Sequence, residues 1–322
     1  MPFTTTPFMD KQRRSRATRQ DVGAPFTVTE ADLRLFLDLH DHKWIPSNWI
    51  ISRDGRHHKD LQARLRVMFD KAYLRRHYDP SKDKHLCYAL DNKAYELLLE
   101  RGRIAKIPTL SNKDNAHEIL NSLTDLSFEH GINENPELAY LGWSELSIHP
   151  NVPARTRLSD APFVIPLSGT YEKKGQQVRR SLEPDGKPFV IKREAADKQH
   201  SACFLKEIDR NTEPVFSNEN RQAWNHKLKK YQELIASNIC EAHYGFPPHR
   251  TFILIVTTNE THMKNIMRLV FQLQIREPSY LCFTTEPDHA FERSYPAPNG
   301  TMLTREWLRV GMEPLNIVKQ LG

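Results

Sequence analysis

The order of patterns between Thr29 and Gly102 constrains this chain more than any other feature: three helical patterns, two strand patterns joined by a polar turn, then another helix. Thr29 can cap the first helix, and Glu30 and Asp32 suit its positive end. Leu33, Phe36, Leu37 and His40 recur at helical spacing, with Leu35 and Leu39 widening the apolar face. Pro46 fits the first turn of a short second helix carrying Trp49, Ile50 and Ile51, and Asp54-Gly55 marks a turn. A third helix is expected from about His57 to Asp70, with Leu61, Leu65, Met68, Phe69 and Ala72 on its core side.

The other face of that helix carries Lys59, Gln62, Ala63 and Arg66, with Arg56, His57 and His58 at its start. Such residues reach phosphates and base edges when a helix lies in a major groove, although a solvated structural helix has the same face. The sequel separates the two readings. Ala72 to Tyr78 reads as a strand, Asp79 to Lys84 as a turn, and His85 to Leu90 as the return strand. A hairpin directly after a helix-turn-helix is a wing, and Lys82 and Lys84 at its tip would sit by a nucleic-acid backbone. Asn92 is expected to cap a last helix that stops at Gly102. Residues 26–103 therefore read as a winged-helix domain for double-stranded DNA, with Arg56, His58, Lys59, Gln62, Arg66, Lys82 and Lys84 as its contacts.

Ahead of it, Lys11, Arg13, Arg14, Arg16 and Arg19 precede Asp21. Residues 1–25 form a basic arm that either follows phosphates or a minor groove, or only solubilises. The net charge of +6 favours a polyanionic partner, but 40 acidic residues weaken that inference. The 322 residues allow about two domains. No apolar run nears the roughly 18 residues of a membrane span, and no signal peptide is expected. Cys87, Cys203, Cys240 and Cys282 show no CxxC pairing, which fits reduced thiols in the cytoplasm better than zinc or disulfides. His40, His42, His57 and His58 lack spaced partners for a metal site. P-loop, GxGxxG and GxSxG motifs are absent, so nothing points to ATPase, dinucleotide or hydrolase-elbow chemistry.

After a linker at 104–115, residues 116–290 alternate helical and strand patterns, which predicts a mixed α/β sheet with helices against it. Helices are expected at about Ala116 to His130, Asn218 to Ala242 and His262 to Leu273, and strands at Phe189 to Ile191, Ala202 to Ile208, Thr251 to Val256 and Tyr280 to Thr284. Leu138 to Leu146 fits either state, and residues 291–322 read as a tail or partner-binding element. Asp185 falls in a turn before the Phe189 strand, while Glu207 and Asp209 share one face of the next strand. Three such carboxylates could hold Mg²⁺, which activates water against a phosphodiester, with Lys227, Lys229 and Lys230 near the phosphate. A surface ion-pair cluster of Glu207, Asp209 and Arg210 is the alternative.

The string Phe204-Leu205-Lys206-Glu207-Ile208-Asp209-Arg210-Asn211-Thr212-Glu213, with Pro184-Asp185 upstream and Lys227 and Tyr231 downstream, resembles the signature of the replication-relaxation family of plasmids and integrative elements. The resemblance covers about Thr29 to Thr285. It implies an N-terminal winged helix and a second domain similar to the PD-(D/E)xK nuclease fold. That fold implies Asp185 and Glu207 as its acids, but Asp209 stands where its lysine should be. Lys227 is then the candidate replacement, and Glu118 a further acid. The implied roles are a DNA-binding protein in replication or mobilisation, working with other replication or relaxosome proteins and forming a homodimer. An active Mg²⁺-dependent endonuclease using Asp185, Glu207, Asp209 and Lys227 is the alternative, and a protein-interaction scaffold the third.

Overall fold

A computed structural model of the chain describes residues 18–20, 23, 25–77, 86–104, 106–108, 115–173, 176–195, 198–217, 223–286 and 295–321. Thr29 opens helix α1 (Glu30–His42) with a reciprocal cap: its Oγ1 accepts from the Asp32 amide, and Asp32 Oδ2 accepts from the Thr29 amide at 2.8 Å. Strand β1 (Ile45–Pro46) leads into α2 (Ser47–Asp54), so Pro46 caps that helix rather than occupying its first turn. Gly55, at φ +77°, ends α2 in the left-handed conformation that glycine tolerates. Next come α3 (His58–Asp70), β2 (Leu74–His77), β3 (Cys87–Leu90) and α4 (Asn92–Glu100). Asp91, not Asn92, caps α4, its side chain accepting from the Asn92 amide. The three strands form a sheet in the order β1-β3-β2, with α1, α2, α3 and α4 closing a core of Phe36, Leu39, Trp49, Leu61, Leu65, Met68 and Leu90.

That core continues into the rest of the molecule. Helix α5 (Asn115–Asn133) packs Ile119, Leu120, Leu123 and Phe128 into the same apolar cluster. Its polar residues bind the end of α1 and reach α2: Ser122 Oγ donates to the His42 carbonyl, and Glu129 accepts from His42 Nε2 at 3.1 Å and from Arg53 of α2 at 3.0 Å.

The ambiguous stretch from Leu138 resolves into both states, strand β4 (Leu138–Leu141) and a single turn of helix, α6 (Trp143–Leu146), followed by another turn, α7 (Ala154–Arg157). The hairpin β5 (Ile165–Lys173) and β6 (Gln176–Leu182) was not anticipated, because β6 is largely exposed and shows no apolar alternation. Then follow β7 (Phe189–Ala195), β8 (Lys198–Asp209), α8 (Trp224–Ile235), α9 (Ile239–Tyr244), β9 (Thr251–Thr257), α10 (Glu260–Gln272) and β10 (Leu281–Thr285). The single helix expected over 218–242 is instead two helices, since Ser237 Oγ turns back to the Glu233 carbonyl at 2.6 Å and Asn238 begins the next one. Residues 218–222 lie outside the described part.

Residues 295–321 are a correction to the tail reading. Helix α11 (Thr301–Thr304), strands β11 (Glu306–Arg309) and β12 (Met312–Asn316), and helix α12 (Ile317–Gln320) complete the sheet, and Trp307 is fully buried in the core. Their apolar residues are few and widely spaced, which hides them from a periodicity reading.

The seven-stranded sheet runs β12-β11-β10-β9-β8-β7-β4, with β8, β9 and β10 parallel and the outer pairs antiparallel. Side-chain alternation assigns its faces. Phe189, Ile191, Phe204, Ile208, Leu254 and Cys282 face α5, whereas Val190, Leu205, Ile253, Ile255 and Phe283 face α8, α9 and α10. The chain is mixed α/β, α+β overall. No helix among the described residues is long and apolar enough to cross a membrane.

Candidate functional site

The parallel centre of the sheet places its chemistry at the carboxyl end of β8. Pairing between β7 and β8 ends at Phe189 and Phe204. Beyond it the chain turns so that the Asp185 amide donates to the Lys206 carbonyl at 3.0 Å, and Asp185 Oδ2 accepts from the Ile208 amide at 2.9 Å. The turn thus holds Asp185 beside Glu207, close enough for each carboxyl to shift the other's pKa.

Glu207 is completely buried. Tyr231 Oη donates to its Oε1, and Lys227 Nζ donates to its Oε2 at 2.7 Å. Lys227 and Tyr231 are one helical turn apart on α8, so a single helix face supplies both donors. Lys227 also reaches Glu213 at 3.0 Å. Burial, and then the Asp185 charge, push the Glu207 pKa well above the carboxylate range. Burial pushes Asp185 the same way, but Lys227, Glu207, His117 and the Ile208 amide more than offset it and lower its pKa. The two carboxyls titrate as a pair, in which Glu207 binds a proton the more tightly. Burial opposes the charge on Lys227, yet Glu207, Asp185 and Glu213 outweigh it and raise its pKa.

Asp209 is on the same strand face but belongs to a second cluster. Its Oδ2 accepts from Trp224 Nε1 and lies against His262 Nε2, both at 2.6 Å, and its Oδ1 accepts from the Thr212 amide at 3.1 Å. The Trp224 indole stands between the clusters, with Lys227 Nζ 5.0 Å from its ring centre. Trp224 and His262 were not found by sequence reasoning, because nothing in their local patterns sets them apart from core residues. Lys206 points to the opposite face of β8, fully buried, where it pairs with Asp125 and donates to Asn121 Oδ1 at 2.7 Å on α5. Glu118 joins neither cluster and pairs with Lys43 at 2.9 Å. Lys229 is exposed and Lys230 half-buried, its pKa lowered by burial and by Arg180 and Lys227.

Asp185, Glu207 and Asp209 do not make a three-carboxylate cation cage. A divalent cation such as Mg²⁺ or Ca²⁺ takes about six or more oxygen ligands, whereas Asp209 is committed to Trp224 and His262, and Glu207 to Tyr231, Lys227 and Asp185. Among the described residues no three His, Cys, Asp or Glu side chains gather as a ligand set. The positive charge beside the acid pair is the Lys227 ammonium.

In the N-terminal unit, His58, Lys59, Gln62, Ala63 and Arg66 stand exposed on one face of α3. Arg56, grouped with them from sequence, is instead held behind the helix. It pairs with Asp54 and reaches the buried Asp32 at 2.9 Å, alongside Arg64. Lys82 and Lys84, and Arg13, Arg14 and Arg16 of the arm, lie outside the described residues. Arg19 pairs with Asp91 and donates to the Phe69 carbonyl at 2.9 Å.

The sequence model of the replication-relaxation family matches residues 36–249. No curated protein and no solved structure matches the chain.

Proposed function

We propose that this chain, which belongs to the replication-relaxation family, binds duplex DNA of a mobile element through a winged helix and thereby acts in its replication or mobilisation. The order α1-β1-α2-α3-β2-β3, with the sheet β1-β3-β2 behind α3, supports the winged-helix assignment. The observation that carries it is the α3 face: Lys59, Gln62 and Arg66 are exposed together, while Arg56 and Arg64, bound to Asp32, fix the helix from behind. Cations and an amide on one helix face suit phosphates and base edges. Residues 26–103 are the DNA-reading unit in this account, and residues from 116 onward its nuclease-like companion. Selecting bound duplexes from a random pool tests it. Wild type should enrich a motif that Gln62→Ala relaxes at one or two positions, and a pool without enrichment counts against sequence-directed binding.

A second reading has its own support, the convergence of Asp185, Glu207 and Lys227. Two acids and a lysine at the end of a central strand, near a basic DNA-reading unit, suit phosphodiester cleavage. Lys227 would neutralise charge developing on the phosphate. Incubation with supercoiled plasmid tests this reading: nicking by wild type that Lys227→Met abolishes supports it. Protein that binds DNA without nicking it leaves a gripping role for this unit.

A further inference from the structure

We propose that His262, oriented by Asp209, is the proton acceptor for the water that attacks the phosphodiester, an inference that rests on the cleavage reading above.

Asp209 is 2% exposed, and its Oδ2 meets both Trp224 Nε1 and His262 Nε2 at 2.6 Å. Neither Ile208 nor any lysine competes for that oxygen. The Trp224 indole can only donate, so Asp209 is fixed as the acceptor for both rings. The carboxylate then holds the imidazole with its proton on Nε2, which leaves the lone pair on Nδ1. Among the described residues nothing hydrogen-bonds Nδ1, and the His262 side chain is 8% exposed. The backbone fixes the ring as well: the His262 amide donates to the Asn259 cap at 2.9 Å in the first turn of α10. The ring stands at the carboxyl ends of the parallel strands β8 and β9, where open α/β sheets bind ligands.

In the step, a water proton passes to His262 Nδ1 as the water oxygen bonds to phosphorus. The bond from phosphorus to the leaving sugar oxygen breaks, and that oxygen takes a proton from solvent. The products are a phosphomonoester and a hydroxyl end, and imidazolium returns its proton to solvent. Lys227, across the Trp224 ring, stabilises the phosphate charge but does not move the proton.

The test uses the full chain on supercoiled plasmid, with His262→Gln, His262→Ala and Lys227→Met as variants. His262→Gln keeps a donor for Asp209, which preserves the fold if the contact is only structural. The expected result is a loss of about 10²- to 10⁴-fold in nicking rate for both His262 variants, with added imidazole restoring part of the rate in His262→Ala only. Wild-type nicking by His262→Gln, with Lys227→Met inactive, overturns this inference and spares the cleavage reading. An inactive His262→Ala that imidazole does not restore also overturns it. Absence of nicking by wild type removes both.

Discussion

Lys227 Nζ lies 2.7 Å from Glu207 Oε2, so one ammonium on α8 faces a fully buried carboxyl at the end of the central strand. Tyr231 and Asp185 complete the enclosure. Burial and the Glu207 proton leave Asp185 as the charge that Lys227 compensates, and removing the ammonium leaves that carboxylate buried without a counter-charge. Lys227→Met should therefore destabilise the fold by about 3–5 kcal/mol in urea melts at neutral pH. Adding Asp185→Asn should recover much of that loss. Equal stability of Lys227→Met and wild type would contradict the arrangement.

The raised Glu207 pKa gives stability a definite pH dependence. A carboxyl that binds its proton more tightly when folded contributes fully below its unfolded pKa, and that contribution fades as pH rises towards the folded value. Glu207→Gln carries no proton to lose. The Tm of Glu207→Gln minus that of wild type should therefore grow from pH 5 to pH 9. A gap that stays constant or shrinks would mean Glu207 is ionised in the folded protein.

The contact between α1 and α5 should be acid-labile. Burial raises the Glu129 pKa, but His42 and Arg53 outweigh it and hold it at about 2. A carboxyl with a lowered folded pKa stabilises above its unfolded value and loses that effect as pH falls through the folded one. The loss should run from about pH 4.5 down to about 2. Glu129→Gln should cost on the order of 3 kcal/mol at pH 7 and lessen the acid sensitivity. Chemical melts at pH 7 and pH 3.5 check both.

The sequence made much of this legible, and the exceptions have physical causes. Capping at Thr29, the two faces of α3 and the apolar strand β9 follow from local patterns that the fold retains. Glu207 and Asp209 do share a strand face, but their partners come from α8 and α10, far along the chain. Alternation fixes a direction and says nothing about what meets the side chain there. Arg56 shows the same limit. It adjoins the α3 face in sequence, yet Asp32, twenty-four residues earlier, draws it behind the helix. The strands of residues 306–316 escaped notice because the sheet edge they form needs only Trp307 and Leu315 in the core.

Gly131 and Gly300 bring α5 and α11 into direct backbone contact. A Cβ on Gly300 would lie 2.5 Å from the Gly131 Cα, a main-chain atom that cannot swing away. Gly300→Ala should therefore cost about 1–3 kcal/mol in urea melts. An unchanged midpoint would mean that the C-terminal elements dock less tightly.

Arg56 and Arg66 should separate structure from recognition. Arg56→Ala leaves the buried Asp32 with Arg64 as its remaining cation, so stability should fall by about 1–3 kcal/mol while DNA affinity per folded molecule stays near wild type. Arg66→Ala, on the exposed face, should do the reverse. Thermal melts and fluorescence-anisotropy titrations on the same preparations distinguish them.

Contact between α3 and duplex DNA has a direct readout in the salt dependence of binding. Duplex affinity of wild type and of Lys59→Ala/Arg66→Ala is measured across a series of salt concentrations. Each lost phosphate contact lowers the slope of log K against log salt by about 0.9. The double variant should bind more weakly, with a slope shallower by roughly 2. The same affinity and slope in both proteins would mean that α3 is not the face that meets DNA.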